Sequence, residues 1–344
     1  MVIDNKSWLN KISNHNQLGG IETSVIDNGC GSGTRIAWIN TGSGLRYKVV
    51  LDRGLDIADA FFNRFSLAWL SHTGVTAPQL YSTHGFDWLK SFSGGLVTTC
   101  GLTHIGAPEY DQNGDRGLHD RISNISAQVD SIVQPDLIRN QFEMSISGTM
   151  IQSQVLGPSL ELKRKISSTL GLSQIRIEDK VTNIGNEPAP LMLLYHINLG
   201  WPLVDEGARI FWEGNWTARE NESKALIFKN GNDFKKCRTP LESHNGNGEE
   251  AAFIDINENS DGICECGISN QSIKLEIFIR FKKHQLPWLT NWQHWGRNEY
   301  VTALEPCTHP PIGQAKARDE GTLINLLPSE TLQFEIEIEI REIS

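Results

Sequence analysis

Apolar and polar residues alternate along several stretches of the chain, as they do in β-strands that bury one face. The clearest stretch is residues 333–341, where four apolar side chains alternate with three glutamates. The same period of two recurs in four further stretches, at residues 141–150, 160–166, 175–181 and 273–281. The pattern predicts a strand in each of these five stretches.

Turn signals separate the strand-like stretches, and helical signals are few. Asn-Gly pairs, which are typical of tight turns between antiparallel strands, occur at residues 28–29, 113–114, 230–231 and 245–246. Only residues 84–91 show a short helical pattern, whereas a parallel α/β sheet needs a helix after each strand. The sequence therefore predicts an all-β fold, a large antiparallel sandwich.

The domain organisation follows from where the strand pattern stops. Residues 214–262 form the most polar stretch, but strand-like patterns resume on both sides of it. A second half separated there would lack enough sheet to bury a core of its own. We therefore expect a single domain over residues 1–344, with an irregular polar insertion at 214–262.

Composition and charge narrow the function classes. Apolar residues make up 39% of the 344 residues and the formal net charge is −10, which suits a globular protein and opposes binding to nucleic acid or anionic membranes. Residues 1–10 lack the pattern of a secretory signal, and the longest mostly apolar stretch, residues 191–204, is too short to span a bilayer. We expect a soluble, cytoplasmic protein with no nucleic-acid or membrane partner.

Cysteine usage and short motifs exclude several kinds of site. The six cysteines are too sparse for a disulfide scaffold, so reduced thiols are expected. Cys264 and Cys266 are closer together than the paired cysteines of structural zinc sites. The chain has no GxxxxGK[ST] phosphate loop, no GxSxG or HExxH motif and no EF-hand loop.

Three short segments place a histidine or a glutamate where sheet edges are expected. His119 lies in a polar loop-like segment, His196 inside an apolar strand-like run, and Glu305 in an apolar strand just before a proline. Each has a structural alternative: a solvated loop residue, a satisfied core histidine, and a strand-terminal charge with an arginine partner. Buried ionisable groups must be paired or functional, so the three together point to chemistry.

The order of these segments resembles a known family. The motifs that carry the resemblance are DRGLDI at residues 52–57, GGLVTTCG at 94–101, LHD at 118–120, YHINLG at 195–200, LEP at 304–306, and Ala317-Arg318 followed by Gly321 and Leu323. In a chain of this size and strand content, the set resembles the aldose 1-epimerases, or galactose mutarotases, and in particular the branch with a DRGLDI-like segment. The resemblance covers about residues 20–340. It implies a galactose-mutarotase-like β-supersandwich, without metal or cofactor, whose open face binds a sugar.

The resemblance also implies residue roles. His196 would be the general acid that protonates the ring oxygen, Glu305 the base that takes the proton from the anomeric hydroxyl, and His119 a second histidine hydrogen-bonded near the ring oxygen. Independently of the family, opening a hemiacetal requires one proton donor and one proton acceptor, and no nucleophile, because the protein forms no bond to carbon. The implied function is a sugar mutarotase that interconverts anomers by ring opening and closure.

Sugar recognition calls for polar groups that bind hydroxyls and an apolar floor. Arg53, Asp56, Arg121 and Arg318 are candidates for the first role, although each could instead form a surface ion pair. Trp292 is the candidate floor, with core filling as its alternative.

The substrate stays open at this point. The well-studied mutarotases carry an HGG segment at the first histidine, whereas His119 is followed by Asp120 and Arg121. The positive charge of Arg121 suggests, as a hypothesis, an acidic or phosphorylated sugar. Those enzymes also hold sugar hydroxyls with a mid-chain aspartate, for which Asp205 is only a weak candidate.

Two other function classes also remain. A metal-dependent sugar isomerase or epimerase could use four side chains as ligands, namely His104, Glu109, His119 and His196, although no HxH pair supports it. A non-catalytic carbohydrate-binding module would keep the fold without the chemistry. The sequence does not decide the oligomeric state, so a homodimer stays open as well.

Overall fold

A computed structural model describes Trp8 and residues 10–81, 83–220 and 225–343. Its strands, in chain order, are β1 (Gly20–Val25), β2 (Arg35–Asn40), β3 (Leu45–Val50), β4 (Asp56–Phe62), β5 (Phe65–Ser66), β6 (Thr98–Leu102), β7 (Glu109–Asp111), β8 (Gly114–Arg116), β9 (Gln128–Val133), β10 (Glu143–Ser153), β11 (Ser159–Thr169), β12 (Gln174–Asn183), β13 (Ala189–Gly200), β14 (Arg209–Trp212), β15 (Gly214–Ala218), β16 (Glu250–Ile256), β17 (Ile263–Asn270), β18 (Leu275–Lys282), β19 (Trp288–Gly296), β20 (Glu299–Cys307), β21 (Ile324–Leu326) and β22 (Thr331–Glu342). The described residues also contain a short α-helix, α1 (Gln314–Asp319), and 3-10 turns at His15–Gln17, Gly29–Gly31, Asp87–Lys90, Ile122–Asn124 and Glu242–His244. The prediction of an all-β protein is confirmed.

The strands form three main antiparallel sheets. One sheet pairs β1 to β5 in sequence order. An eight-stranded sheet has the order β14-β17-β18-β22-β12-β11-β10-β9, and a seven-stranded sheet has the order β15-β16-β19-β20-β13-β21, with β6 also paired to β13. One large hydrophobic cluster fills the space between the sheets, so the predicted antiparallel sandwich is confirmed.

The alternating stretch near the C-terminus is β22, which lies between β12 and β18. Ile338 stands opposite Ile175 on one side and Ile279 on the other, and all three side chains are buried. The glutamates of β22 lie on the other face, where Arg280 reaches Glu337 at 2.9 Å. The other four predicted strands correspond to β10, β11, β12 and β18, with shifted ends.

The polar stretch 214–262 differs from the prediction. Part of it is regular, because it supplies β15 and β16 to one edge of the seven-stranded sheet, with Ala218 opposite Ala252. Between these strands, residues 219–220 and 225–249 hold no strand and one 3-10 turn, Glu242–His244. Residues 84–91 hold a single 3-10 turn, Asp87–Lys90. Within the described ranges, no helix has the length and apolar character needed to cross a membrane.

Strand β13 is buried on both faces, and the two faces have different surroundings. Leu193 and Tyr195 point into the large cluster between the sheets. Met192 and Leu194 belong to a second, smaller cluster on the opposite face. Because successive side chains of a strand alternate between faces, His196 shares the face of Leu194.

A buried ionic group joins the eight-stranded and seven-stranded sheets. Arg164 on β11 donates two hydrogen bonds to the Asp179 carboxylate on β12, at 2.8 and 2.6 Å. The Tyr195 hydroxyl on β13 donates to the same carboxylate at 2.6 Å, and Arg164 also donates to Thr99 on β6 at 2.7 Å. The group therefore fixes β13 and β6 against the opposite sheet.

Candidate functional site

The pairing of β13 with β20 brings a histidine and a glutamate side by side. Ile197 stands opposite Leu304, so the preceding His196 and the following Glu305 are neighbours across the two strands. Nε2 of His196 lies 3.2 Å from Oε1 of Glu305. Both residues are buried, with 6% and 3% of their surface exposed. We call these two side chains the His–Glu pair.

A second histidine reaches the pair from a loop. His119 and Asp120 are consecutive residues with φ of 55° and 57°, a left-handed conformation that is uncommon outside glycine. The Asp120 carboxylate holds the loop by accepting hydrogen bonds from the backbone and hydroxyl of Thr103 and from Gln152. The ring centroid of His119 lies 6.2 Å from that of His196. Strained backbone of this kind is often found at functional sites, where the surrounding structure enforces it.

Aromatic side chains surround the His–Glu pair. They form an aromatic wall that consists of Trp69, Trp88, Phe92 and Trp292. The Phe92 and Trp292 ring centroids lie 5.2 and 5.4 Å from that of His196. Trp88 stacks on Phe92 at 4.3 Å and meets His119 at 5.0 Å. Trp292, the predicted sugar floor, is thus next to His196.

Two charged residues that the sequence analysis missed lie beside Trp292. Nη1 of Arg219 is 2.9 Å from Oε1 of Glu249, whose other oxygen accepts a hydrogen bond from the Trp292 indole. Arg219 follows β15 and Glu249 precedes β16, within the stretch interpreted as an insertion. The polarity of this stretch was the only sequence signal for the two residues. Their proximity depends on the pairing of β15 with β16, which the sequence analysis did not predict.

Burial governs the protonation of the site. It raises the pKa of Glu305 well above its ordinary value, an effect that Glu249 reinforces and Arg219 opposes. Burial lowers the pKa of His196 to about 4 and the pKa of His119 well below its ordinary value. Burial therefore favours the neutral forms of His196, His119 and Glu305.

Arg53 and Asp56 do not belong to this group. Arg53 is buried and donates to the carbonyl oxygens of Ser123 and Ser91 at 2.5 and 2.9 Å. Asp56 accepts hydrogen bonds from the backbone and hydroxyl of Thr99, and burial raises the pKa of Asp56 to about 6. These contacts do not support the prediction that the two side chains bind sugar, because their polar atoms already bond within the protein interior.

The remaining predicted polar residues also contact other parts of the chain. Arg121 donates to the carbonyl oxygen of Ser153 at 2.6 Å. Nη1 of Arg318, on α1, lies 3.6 Å from Asp111, and Asp205 is exposed. These contacts do not place the three side chains with the His–Glu pair.

The four side chains considered as metal ligands are not brought together. Nδ1 of His104 lies 3.6 Å from Glu109, and its Nε2 lies 2.8 Å from the carbonyl oxygen of Ala107. His119 faces the aromatic wall and His196 faces Glu305. Among the residues that the structure describes, no three His, Cys, Asp or Glu side chains are arranged to hold a metal ion.

The arrangement suits proton transfer at two neighbouring oxygen atoms. A proton donor and a proton acceptor 3.2 Å apart can act together on a substrate that carries two oxygens on one carbon. The aromatic wall packs against the pair and presents apolar ring faces beside it.

Comparison with known proteins agrees with this architecture. Residues 31–340 match the family described as a domain of unknown function, DUF4432. Similar solved structures include a candidate aldose 1-epimerase from Klebsiella pneumoniae, which is 21% identical, covers 94% of this chain and 84% of its own, and has a TM-score of 0.83. A galactose mutarotase-like protein from Clostridium acetobutylicum is 12% identical over 94% of this chain and 98% of its own, with a TM-score of 0.64. A galactose 1-epimerase from Lactobacillus acidophilus is 12% identical over 94% of this chain and 99% of its own, with a TM-score of 0.62.

No protein of curated function matches the sequence. The fold is a galactose-mutarotase-like β-sandwich, as the resemblance implied.

Proposed function

The chain belongs to the DUF4432 family, and from its fold and its site we propose that it is an aldose 1-epimerase-like sugar mutarotase. The observation that carries the proposal is the 3.2 Å contact between His196 Nε2 and Glu305 Oε1, buried against the aromatic wall. Mutarotation needs an acid and a base at the two oxygens of one anomeric carbon, and this pair supplies both.

The reaction would proceed by proton transfer alone. Burial favours the neutral pair, so a proton first passes from Glu305 to Nε2 of His196. Glu305 then takes the proton of the anomeric hydroxyl while Nε2 gives its proton to the ring oxygen, and the bond between the anomeric carbon and the ring oxygen breaks. Rotation about the next carbon–carbon bond exposes the other carbonyl face. The same groups then act in reverse. The pair therefore holds one transferable proton before and after each half of the reaction.

Neighbouring residues would hold the sugar. The Gly106 backbone donates to Nδ1 of His119 at 3.3 Å, so the neutral ring carries its proton on Nε2 and can donate it to a sugar oxygen. Glu249 would accept sugar hydroxyls, the role for which Asp205 was considered, and Trp292 would lie against the C–H face of the ring.

The proposed substrate is a neutral aldose. Arg219, the cation nearest the aromatic wall in the contacts described above, is already paired with Glu249 at 2.9 Å and lies 3.5 Å from Glu220. An anionic substituent would therefore compete with carboxylates for the same guanidinium. The hypothesis of an acidic sugar rested on Arg121, whose guanidinium donates to Ser153.

The test is a survey of anomer exchange by NMR magnetisation transfer. Neutral hexoses, pentoses and 6-deoxy sugars are compared with uronates and sugar phosphates, with Glu305→Gln as the inactive control. We expect accelerated exchange for at least one neutral sugar, at least about tenfold above its uronate or phosphate. Faster exchange of the charged sugars would contradict the neutral substrate. Binding without any acceleration would instead favour a carbohydrate-binding module.

Glu249→Gln is expected to weaken sugar binding by about tenfold, because a charged hydrogen-bond acceptor is lost. The loss of the hydroxyl contact should appear in KM, and the pH profile of kcat should move to lower pH, because Glu249 also raises the pKa of Glu305. Steady-state exchange rates at several sugar concentrations separate KM from kcat. Glu242→Gln, in the 3-10 turn Glu242–His244, is the matched control and should leave both parameters unchanged. An unchanged KM in the Glu249 variant would remove this residue from the proposed binding set.

A further inference from the structure

Asn198 lies two residues beyond His196 on the same face of β13, and its amide is fully buried and fixed in orientation. Its Nδ2 donates to the carbonyl oxygens of Gly95 and His196, each at 2.9 Å. Carbonyl oxygens only accept hydrogen bonds, so they determine which end of the amide is nitrogen. Oδ1 is therefore left as an acceptor that points away from these two partners.

Nδ1 of His196 and Oδ1 of Asn198, on this face, are buried and have no hydrogen-bond partner. Oε1 of Glu305, across from His196, also has none. Asn198 lies close enough to act on the imidazole, because its amide raises the pKa of His196 against the larger effect of burial. A proton on Nδ1 would satisfy both Nδ1 and Oδ1 at once, and buried polar atoms are rarely left without a partner.

We propose that Asn198 is a positioning residue that keeps a proton on Nδ1 of His196, so that Nε2 alone exchanges protons with Glu305. The part of this inference that concerns the sugar rests on the proposed function. With Nδ1 occupied, the proton given to the ring oxygen leaves from Nε2, the nitrogen that lies 3.2 Å from Glu305. A histidine with the opposite tautomer would direct its bare nitrogen away from the substrate.

The neutral amide of Asn198 is a suitable hydrogen-bond acceptor for a histidine that acts as a proton donor. A carboxylate at position 198 would stabilise the imidazolium ion and make it a weaker proton donor, whereas a neutral amide orients the ring with a smaller effect on its acidity. The charged or titratable groups around the ring are Glu305 from β20 and His119 from its loop, with Arg219 and Glu249 beyond Glu305. The flanking Phe92, Trp88 and Trp292 are uncharged.

The first experiment needs no substitution at Asn198. The full chain is labelled with ¹⁵N-histidine, and long-range ¹H–¹⁵N spectra report which nitrogen of each ring carries the proton. The His196 signals are those lost in His196→Asn. We expect Nδ1 of His196 to be protonated at neutral pH. A bare Nδ1 with a proton fixed on Nε2 would overturn the inference.

Asn198→Asp then tests the effect on acidity. We expect the pKa of His196 to rise by about one unit or more, and exchange at neutral pH to slow by about tenfold, with the pH profile displaced in the same direction. Asn183→Asp is the matched control, because Asn183 is also buried and donates to two backbone carbonyls, of Glu187 and Leu326. That control should leave the pKa of His196 and the pH profile unchanged.

An unchanged pKa of His196 in folded Asn198→Asp would also overturn the inference. If the spectra agree with it but no sugar exchanges faster with the wild-type protein, the mutarotase proposal fails and the assignment of the tautomer stands. If Asn198→Asp does not fold, the wild-type spectrum alone decides the tautomer.

Discussion

Glu305→Gln is expected to slow anomer exchange by at least about a hundredfold while the protein stays folded. The amide has nearly the shape of the carboxylic acid but cannot take the proton of the anomeric hydroxyl. His196→Asn should cause a loss of the same order, because it removes the proton donor to the ring oxygen. Exchange is measured by NMR magnetisation transfer, and circular dichroism confirms the fold.

Glu299→Gln provides the control for this pair of variants. Glu299 begins the same strand, β20, and its side chain is 40% exposed, so its loss should leave exchange unchanged. The double variant of Glu305 and His196 should be little slower than either single variant, since the two groups act as a unit. A rate near that of the wild type for either single variant would contradict the acid and base assignment.

Asp179→Asn is expected to lower the free energy of unfolding by about 3–5 kcal/mol. The substitution leaves the Arg164 guanidinium, which has no exposed side-chain surface, without its bidentate carboxylate. It also replaces the carboxylate that accepts the hydrogen bond of the Tyr195 hydroxyl with an amide. Urea unfolding monitored by circular dichroism measures the change, with the slope against urea concentration checked for two-state behaviour.

Asp59→Asn is the comparison that makes this measurement specific. Asp59 pairs with Lys48 at 2.5 Å, but both side chains are partly exposed, so the loss should be below about 1 kcal/mol. If both variants lost the same free energy of unfolding, the buried pair of Arg164 and Asp179 would contribute no more to stability than the partly exposed pair of Lys48 and Asp59.

Strands with one buried face and one solvent-exposed face could be predicted from the sequence. In β22 the alternation of isoleucine and glutamate corresponds directly to a buried face and an outer face. The alternation fails for β13, which is buried on both sides, so the sequence shows a continuous apolar run interrupted by His196 and Asn198. His196 stood out there as a histidine inside an apolar run, and the motif resemblance implied its role.

Charged residues were harder to place, because a sequence does not show what surrounds a charge. Arg53 and Asp56 were candidates for binding sugar hydroxyls, yet both are buried and bonded to the protein. Arg219 and Glu249 were missed because they lie 30 residues apart and meet only when β15 pairs with β16. A prediction of that pairing would have revealed them.

The aromatic wall gives the protein an intrinsic optical reporter. Three of its four members, Trp69, Trp88 and Trp292, are among the ten tryptophans of the chain. Indole emission responds to the polarity next to the ring, so a ligand that replaces water against these rings should change the fluorescence of the unlabelled protein. Titration of sugars against that signal would rank their affinities in variants that no longer turn over, where exchange rates carry no information.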